Sequence, residues 1–217
     1  MSIAPSTPVK VYGVPGSPFM ASVLMLLAER GAPFVVEPLA PPQLKMPAHL
    51  ALQPFGRIPV IEHDGFVLYE TQAILRYLAD VLPGPSLLPS TPQARARMNQ
   101  AIGINDWYFF PKFSAVAVFE RLVKPAFRGT APDEALIEGV VPMGATCTAA
   151  YAALLAGHPF MAGDALSLAD LHLAPHFHYL SLVPEAERLL KPHPTLCTWL
   201  AKMVARQSFK QTLLFGV

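Results

Sequence analysis

Apolar residues in the first third of the chain keep two different periods. Val9-Lys10-Val11-Tyr12 alternates as a short strand does, whereas Met20, Val23, Leu24 and Leu27 recur at the i, i+3, i+4, i+7 spacing of a helix starting at Pro18. Gly31 is placed to end that helix. Phe34-Val35-Val36-Glu37 reads as a second strand, reached through a helical crossover and so predicted parallel to the first. Val60-Ile61-Glu62 and Phe66-Val67-Leu68-Tyr69 flank Asp64-Gly65, the sequence of a tight hairpin turn, and Thr71 to Leu82 follows as a helix. Pro83-Gly84-Pro85 through Pro89-Ser90-Thr91-Pro92 forms a stiff connection. Beyond it only helical patterns occur, over 92–122 with a kink at Pro111, 133–156, 167–182 and 194–207. The predicted class is α+β, with a domain at 1–82 of order βαβ–α–ββ–α, a linker at 83–92 and an all-helical domain at 93–217.

Composition narrows the function. Sixteen basic residues face fifteen acidic ones, and a division near residue 83 leaves five and six on one side, eleven and nine on the other. Neither part is built for nucleic acid. With 53% hydrophobic and only 14% charged residues, the chain has apolar surface to spare for a subunit interface or a greasy pocket. Met1-Ser2-Ile3-Ala4-Pro5 lacks the basic and apolar regions of a secretory signal. Gly139 to Gly163 carries no Asp, Glu, Lys or Arg, but Pro142, Gly144, Thr146, Cys147, Thr148 and His158 favour a buried core helix over a membrane span. Two cysteines fifty positions apart make no disulfide framework, which fits a reducing cytoplasm.

Two local patterns carry chemistry or folding information. Pro59 heads a β-branched strand, a place where the missing N–H is tolerated and where the Ile58–Pro59 bond can be cis. Glu70-Thr71 then puts a carboxylate and a hydroxyl at a strand-to-helix junction, where outward N–H groups bind anions. Together they describe a site for a small extended molecule bearing an amine and a carboxylate. Farther on, Ser167 and Asp170 stand at capping-box spacing, with Leu166 and Leu171 at the staple positions.

Gln53-Pro54-Phe55-Gly56-Arg57-Ile58-Pro59 followed by Glu70-Thr71 resembles the glutathione transferase pattern N-P-F-G-x-V-P followed by an E-S pair. Gln53 replaces Asn, Ile58 replaces Val and Thr71 replaces Ser. The run Gly163 to Leu171 is similar to the capping box and staple of the same family, so the resemblance covers about Val9 to Thr212. Val11-Tyr12-Gly13-Val14-Pro15-Gly16-Ser17 is similar to the serine-type cytosolic classes, phi- or theta-like or bacterial. The resemblance implies a thioredoxin-like first domain, glutathione as co-substrate with no metal or other cofactor, a homodimer, and no nucleic-acid or membrane partner. It implies transfer of the glutathione sulfur to a small apolar electrophile. A related dehalogenase, isomerase or peroxidase, or a non-catalytic scaffold, is the alternative.

It also assigns residues. Ser17 is the expected thiolate donor, with Tyr12 as its rival and Ser22 more distant; as a plain structural residue Ser17 would cap the helix begun by Pro18. Lowering a thiol pKa by two units takes about 2.7 kcal/mol of preferential thiolate stabilisation, within reach of a charge-assisted hydrogen bond aided by helix-terminal N–H groups. The Ile58 backbone before Pro59 holds the cysteinyl unit, Glu70 the γ-glutamyl amine, Thr71 its carboxylate, and Lys45, supplemented by Arg57, the glycyl carboxylate. The second substrate is assigned to Phe19, Trp107, Tyr108, Phe110 and Phe113, with Asp106 reaching a partner's glutathione. Ser17-Pro18-Phe19-Met20 lacks the cysteines of a C-x-x-C redox motif. His172, His176 and His178 are expected in the core or at an interface and not on a metal.

Overall fold

The computed structural model describes residues 7–212 and 214; the start of the chain, read above as carrying no secretory signal, lies outside them. Two compact units emerge, Met1–Ser86 together with Ala205–Val217, and Leu87–Val204. The second unit therefore ends earlier than the predicted 93–217, because the chain after Val204 rejoins the first.

In the first unit, β1 (Val9–Gly13), α1 (Pro18–Glu29), β2 (Phe34–Pro38), α2 (Pro47–Leu50), β3 (Val60–His63), β4 (Phe66–Tyr69) and α3 (Thr71–Val81) follow in order, with a 3₁₀ turn at Pro41–Lys45. The sheet order is β2-β1-β3-β4. β2 lies parallel to β1, while β3 and β4 are antiparallel neighbours. Asp64 and Gly65 both adopt positive φ, the requirement of the two-residue hairpin turn the sequence announced. Gly13 has no room for a side chain, since a Cβ there would stand 2.6 Å from Met20 Sδ. That close approach seats α1 against the end of β1, and Met20 to Leu27 are buried on every side of the helix.

Arg30 and the returning chain close this unit. The Arg30 guanidinium donates to the carbonyls of Ala79, Leu82 and Gly84 at 2.7–3.2 Å, satisfying the carboxyl end of α3. The last helix, α11 (Gln207–Lys210), belongs to the same unit. Beside it Arg206 grips the half-buried Glu29 carboxylate through both oxygens, 2.7 and 2.8 Å, and Ser208 donates to it as well. Burial pushes the Glu29 pKa up, but these donors outweigh it and hold the carboxyl below its ordinary value.

The second unit is helical. α4 (Pro92–Ile104), α5 (Ala115–Val118) and α6 (Lys124–Arg128) form one continuous run, joined by π-helical stretches at Asn105–Ser114 and Phe119–Val123. The expected kink at Pro111 is realised as a widened turn, which accommodates a residue unable to donate an N–H. The run passes the predicted end at 122 and stops where Gly129 turns left-handed, φ 62°. α7 (Glu134–Leu155), α8 (Leu168–Ser181), α9 (Ala186–Leu189) and α10 (Pro194–Val204) complete the unit.

The charge-free stretch lies mostly on α7, but it is not the fully buried helix. α7 buries one face, Ile137, Val141, Gly144, Cys147, Thr148, Tyr151 and Leu155, and exposes alanines on the other. α8 is the buried helix, from Leu168 through Leu180. Among the described residues no helix is long and apolar enough to cross a membrane. Phe109 and Phe177 stack at 5.1 Å, with Tyr151 and Trp199 edge-on to Phe177. Gly144 lets Phe113 approach, since a Cβ there would lie 2.8 Å from its ring.

Asp170 fastens α8. Its carboxylate accepts from Ser167 N–H, Ser167 Oγ–H, Met161 N–H and the Trp199 indole N–H at 2.7–2.9 Å. The predicted capping box between Ser167 and Asp170 is formed; in addition the Ser167 hydroxyl donates to the carboxylate and the Asp170 N–H reaches the Ser167 carbonyl. Complete burial raises the Asp170 pKa despite these four donors.

Candidate active site

The strand register gathers the predicted segments at one end of the sheet. Gly13 at the close of β1 pairs with Pro38 at the close of β2. Tyr12 pairs with Val60, which opens β3, and Val60 pairs with Tyr69, which closes β4. The loop to Ser17, the turn carrying Lys45, the Ile58–Pro59 bond and the Glu70-Thr71 junction all leave from that end. Four strands spaced about 4.8 Å apart span about 14 Å, enough to lay an extended tripeptide of about 10 Å across them.

Ser17 is the N-cap of α1, with φ −73° and ψ 125°, and its Oγ accepts from Met20 N–H at 3.3 Å. Gly16, at φ 89°, and a bond from Ser17 N–H to the Val14 carbonyl at 3.0 Å shape the turn before it. Because the cap uses the oxygen as acceptor, the hydroxyl proton is left to donate outward. Capping and thiolate donation are thus compatible. Tyr12 is engaged elsewhere, its phenol donating to Glu62 Oε2 at 3.0 Å. Burial and that bond to a carboxylate both raise the Tyr12 pKa, the opposite of an activated phenol. Ser22 is buried and donates back to the Pro18 carbonyl at 3.0 Å.

The Ile58–Pro59 bond is cis. The loop leading to it is organised by Gln53, at the head of the motif, and by His49, to which the sequence pattern gives no role. Gln53, buried, accepts from Phe55 N–H at 2.7 Å and Arg57 N–H at 3.1 Å through Oε1. His49, buried on α2, places Nε2 2.8 Å from the Arg57 carbonyl. The signal for Gln53 lay in its amide replacing another amide at the head of the motif.

Glu70 does not cap α3 with its side chain; it sits at φ 71°, ψ 112°, in a region that costs a non-glycine residue about 1–3 kcal/mol. Its carboxylate is exposed and has no hydrogen-bond partner among the described residues, while Thr71, buried, begins the helix. Lys45 and Arg57 are exposed, with no ion pair among the described residues. The aromatic set divides. Trp107 is 73% and Tyr108 47% exposed, with Lys112 Nζ 4.9 Å above the Tyr108 ring. Phe19 on α1 is half-buried, and Phe110 is half-buried edge-on to His176. Phe113 is corrected to a core residue: it has no exposed surface and fills the space over Gly144.

Asp106 accepts from His172 Nε2 at 2.8 Å and Asn105 Nδ2 at 2.9 Å within the helical unit. His172 and His176 are fully buried, and burial holds the His176 pKa well below its ordinary value. Among the described residues no group of three His, Cys, Asp or Glu is arranged to hold a metal.

One end of the sheet thus carries two helix starts and a cis-proline loop, the arrangement of a thioredoxin-like domain. Residues 7–80 match the family model for the glutathione S-transferase N-terminal domain, and residues 115–207 match that for the C-terminal domain. Glutathione S-transferase 3 of Zea mays is 35% identical over 210 residues, covering 95% of this chain and 93% of the relative. The solved structure of glutathione S-transferase III in apo form aligns with a TM-score of 0.84 at 36% identity, covering 95% of this chain and 96% of that one. Glutathione transferase F7 from Populus trichocarpa aligns with a TM-score of 0.84 at 31% identity, covering 94% and 97%. The chain belongs to the glutathione S-transferase family and is an enzyme of that class.

Proposed function

We propose that the protein conjugates the glutathione thiolate to a small, largely apolar electrophile, with Ser17 as the thiolate donor. The observation that carries this is the Ser17 cap, which uses the oxygen lone pair and frees the proton at the sheet end where the other segments meet. Ile58 offers its backbone to the cysteinyl unit, the unpartnered Glu70 carboxylate takes the γ-glutamyl amine, and Thr71 with the start of α3 takes the adjoining carboxylate. Lys45, exposed in its 3₁₀ turn, takes the glycyl carboxylate, and Arg57 supplements it. Phe19 in the first unit, and separately Trp107, Tyr108 and Phe110 in the second, remain candidates for aromatic contact with an apolar electrophile. The chemistry asks for glutathione alone and fits the cytoplasm.

Thermal unfolding with and without glutathione tests the reading. At 100 times its dissociation constant glutathione should stabilise the fold by about 2.7 kcal/mol, raising Tm by about 5–10 °C in a saturable way. A flat response up to several millimolar would sink the assignment and return Ser17 to a purely capping role.

The working form is proposed to be a homodimer. Phe55 stands 71% exposed at the tip of the loop that Gln53 braces, a large ring held rigidly in solvent. A second copy is the occupant suited to it. Sedimentation of the wild type should give twice the mass of the 217-residue chain, and Phe55→Ser should shift the population toward monomer. A monomeric wild type at micromolar concentration would reject the dimer.

A further inference from the structure

The peptide plane between Arg57 and Ile58 has one edge in the protein and one edge free. Its carbonyl, on Arg57, meets His49 Nε2 at 2.8 Å across eight residues of chain. A carbonyl only accepts, so Nε2 carries the ring proton and Nδ1 presents a lone pair. Nδ1 is buried without a hydrogen-bond partner among the described residues. Leucine would fill similar space and spare the unpaired Nδ1, but it would take the donor away from the Arg57 carbonyl. What the histidine contributes is the group its other nitrogen holds.

What it holds is a direction. The peptide group is planar, and in the trans form its C=O and N–H point to opposite edges. Among the described residues Ile58–Pro59 is the one cis bond, so Arg57–Ile58 is trans. Gln53 already fixes the N–H groups of Phe55 and Arg57, and its own carbonyl accepts from Gly56 N–H at 3.1 Å. The plane that follows is fixed by His49. Anchoring the Arg57 carbonyl from one edge turns the Ile58 N–H to the other, the edge proposed to meet glutathione.

We propose that His49 is a positioning residue for glutathione: through the Arg57 carbonyl it aims the Ile58 N–H at the cysteinyl unit. It touches neither substrate nor thiolate. His49 has this role only if Ile58 holds glutathione, so the test separates the two ideas. Full-length His49→Leu, His49→Asn and His49→Gln are compared with wild type for glutathione Kd by calorimetry and for KM and kcat with a chromogenic electrophile. Hydrogen exchange over residues 53–58 is measured on the same proteins.

The glutamine amide can stand where imidazole Nε2 stands, whereas the asparagine amide reaches only the Nδ1 position. Leu and Asn should each raise Kd and KM for glutathione about tenfold, leave kcat at saturating glutathione within about twofold, and speed exchange at Phe55 and Arg57 about tenfold. Gln should restore all three to within about threefold of wild type. Unchanged Kd and exchange in both Leu and Asn would overturn the proposal, as would equal losses in Asn and Gln, or a fall in kcat with KM unmoved. A wild type that fails to bind glutathione would remove the glutathione reading itself, and this role with it. A wild type that binds, beside an unaffected His49→Leu, removes the role of His49 alone.

Discussion

Ser17→Ala is expected to lower kcat/KM for conjugation at neutral pH by about 10- to 150-fold, because one charge-assisted hydrogen bond to the thiolate, about 1.5–3 kcal/mol, is lost. The same loss should raise the pKa of the bound thiol by about one to two units. A group that must be deprotonated to react then needs a higher pH, so the acid limb of the pH–rate profile moves to the alkaline side and part of the deficit is recovered there. Glutathione itself should still bind, since the contacts assigned to Ile58, Glu70 and Thr71 are untouched. Ser17 also caps α1, so alanine should cost about 1 kcal/mol of stability. Glycine costs an N-cap only a few tenths. Ser17→Gly should therefore share the kinetic defect with almost none of the loss in Tm, separating the two jobs of one oxygen. Tyr12→Phe should keep the wild-type rate, because its phenol is already committed to Glu62. A Ser17 variant that conjugates normally, beside a Tyr12→Phe variant that does not, would make Tyr12 the thiolate donor and overturn the role proposed for Ser17.

The second large effect concerns folding. Asp170→Ala leaves the N–H groups of Met161, Ser167 and Trp199 buried without their acceptor. Each such donor costs about 1–3 kcal/mol, and a total near 3–5 kcal/mol is expected. For a chain of 217 residues this lowers Tm by about 6–20 °C. Asp170→Asn should be nearly as harmful, because its amide nitrogen brings a donor into a ring of donors. Calorimetric scans of the two variants decide the matter; a shift under about 2 °C in both would mean that water or a rearranged loop takes over the carboxylate's work.

How far the sequence reads depends on the length over which each pattern repeats. β1, α1, β2, the β3–β4 hairpin and α3 were legible because alternating and helical periods run long enough to be told apart, and Asp64-Gly65 can do little but turn. The helix expected between β2 and β3 could not be assigned residues, because Pro41–Lys45 and Pro47–Leu50 are too short to show a period. The π-helical stretches escaped for a different reason: an inserted residue shifts the apolar phase without breaking it. Phe113 was assigned to a pocket on its place among neighbouring aromatics, and only the gap left by Gly144 reveals that it points inward. Ser17, Ile58, Pro59, Glu70 and Thr71 were legible as types at a spacing. The register that brings them to one end of the sheet was not, because strand pairing is settled between segments far apart in the chain. Of the two braces, Gln53 showed only as one amide replacing another, and His49 left no pattern, because a single side chain bonded to backbone two to eight residues away has no period to read.

The return of the chain after Val204 bears on how the protein comes into being. Glu29 is made well before the partners of its carboxylate: Arg206 emerges 177 positions later, and Ser208 follows it. The sheet can assemble on the ribosome, but the Glu29 end of α1 stays open until Arg206 and Ser208 have been made. Through that interval a half-formed unit must be tolerated or shielded, and an interrupted message yields a fragment whose catalytic end is present and whose seal is missing.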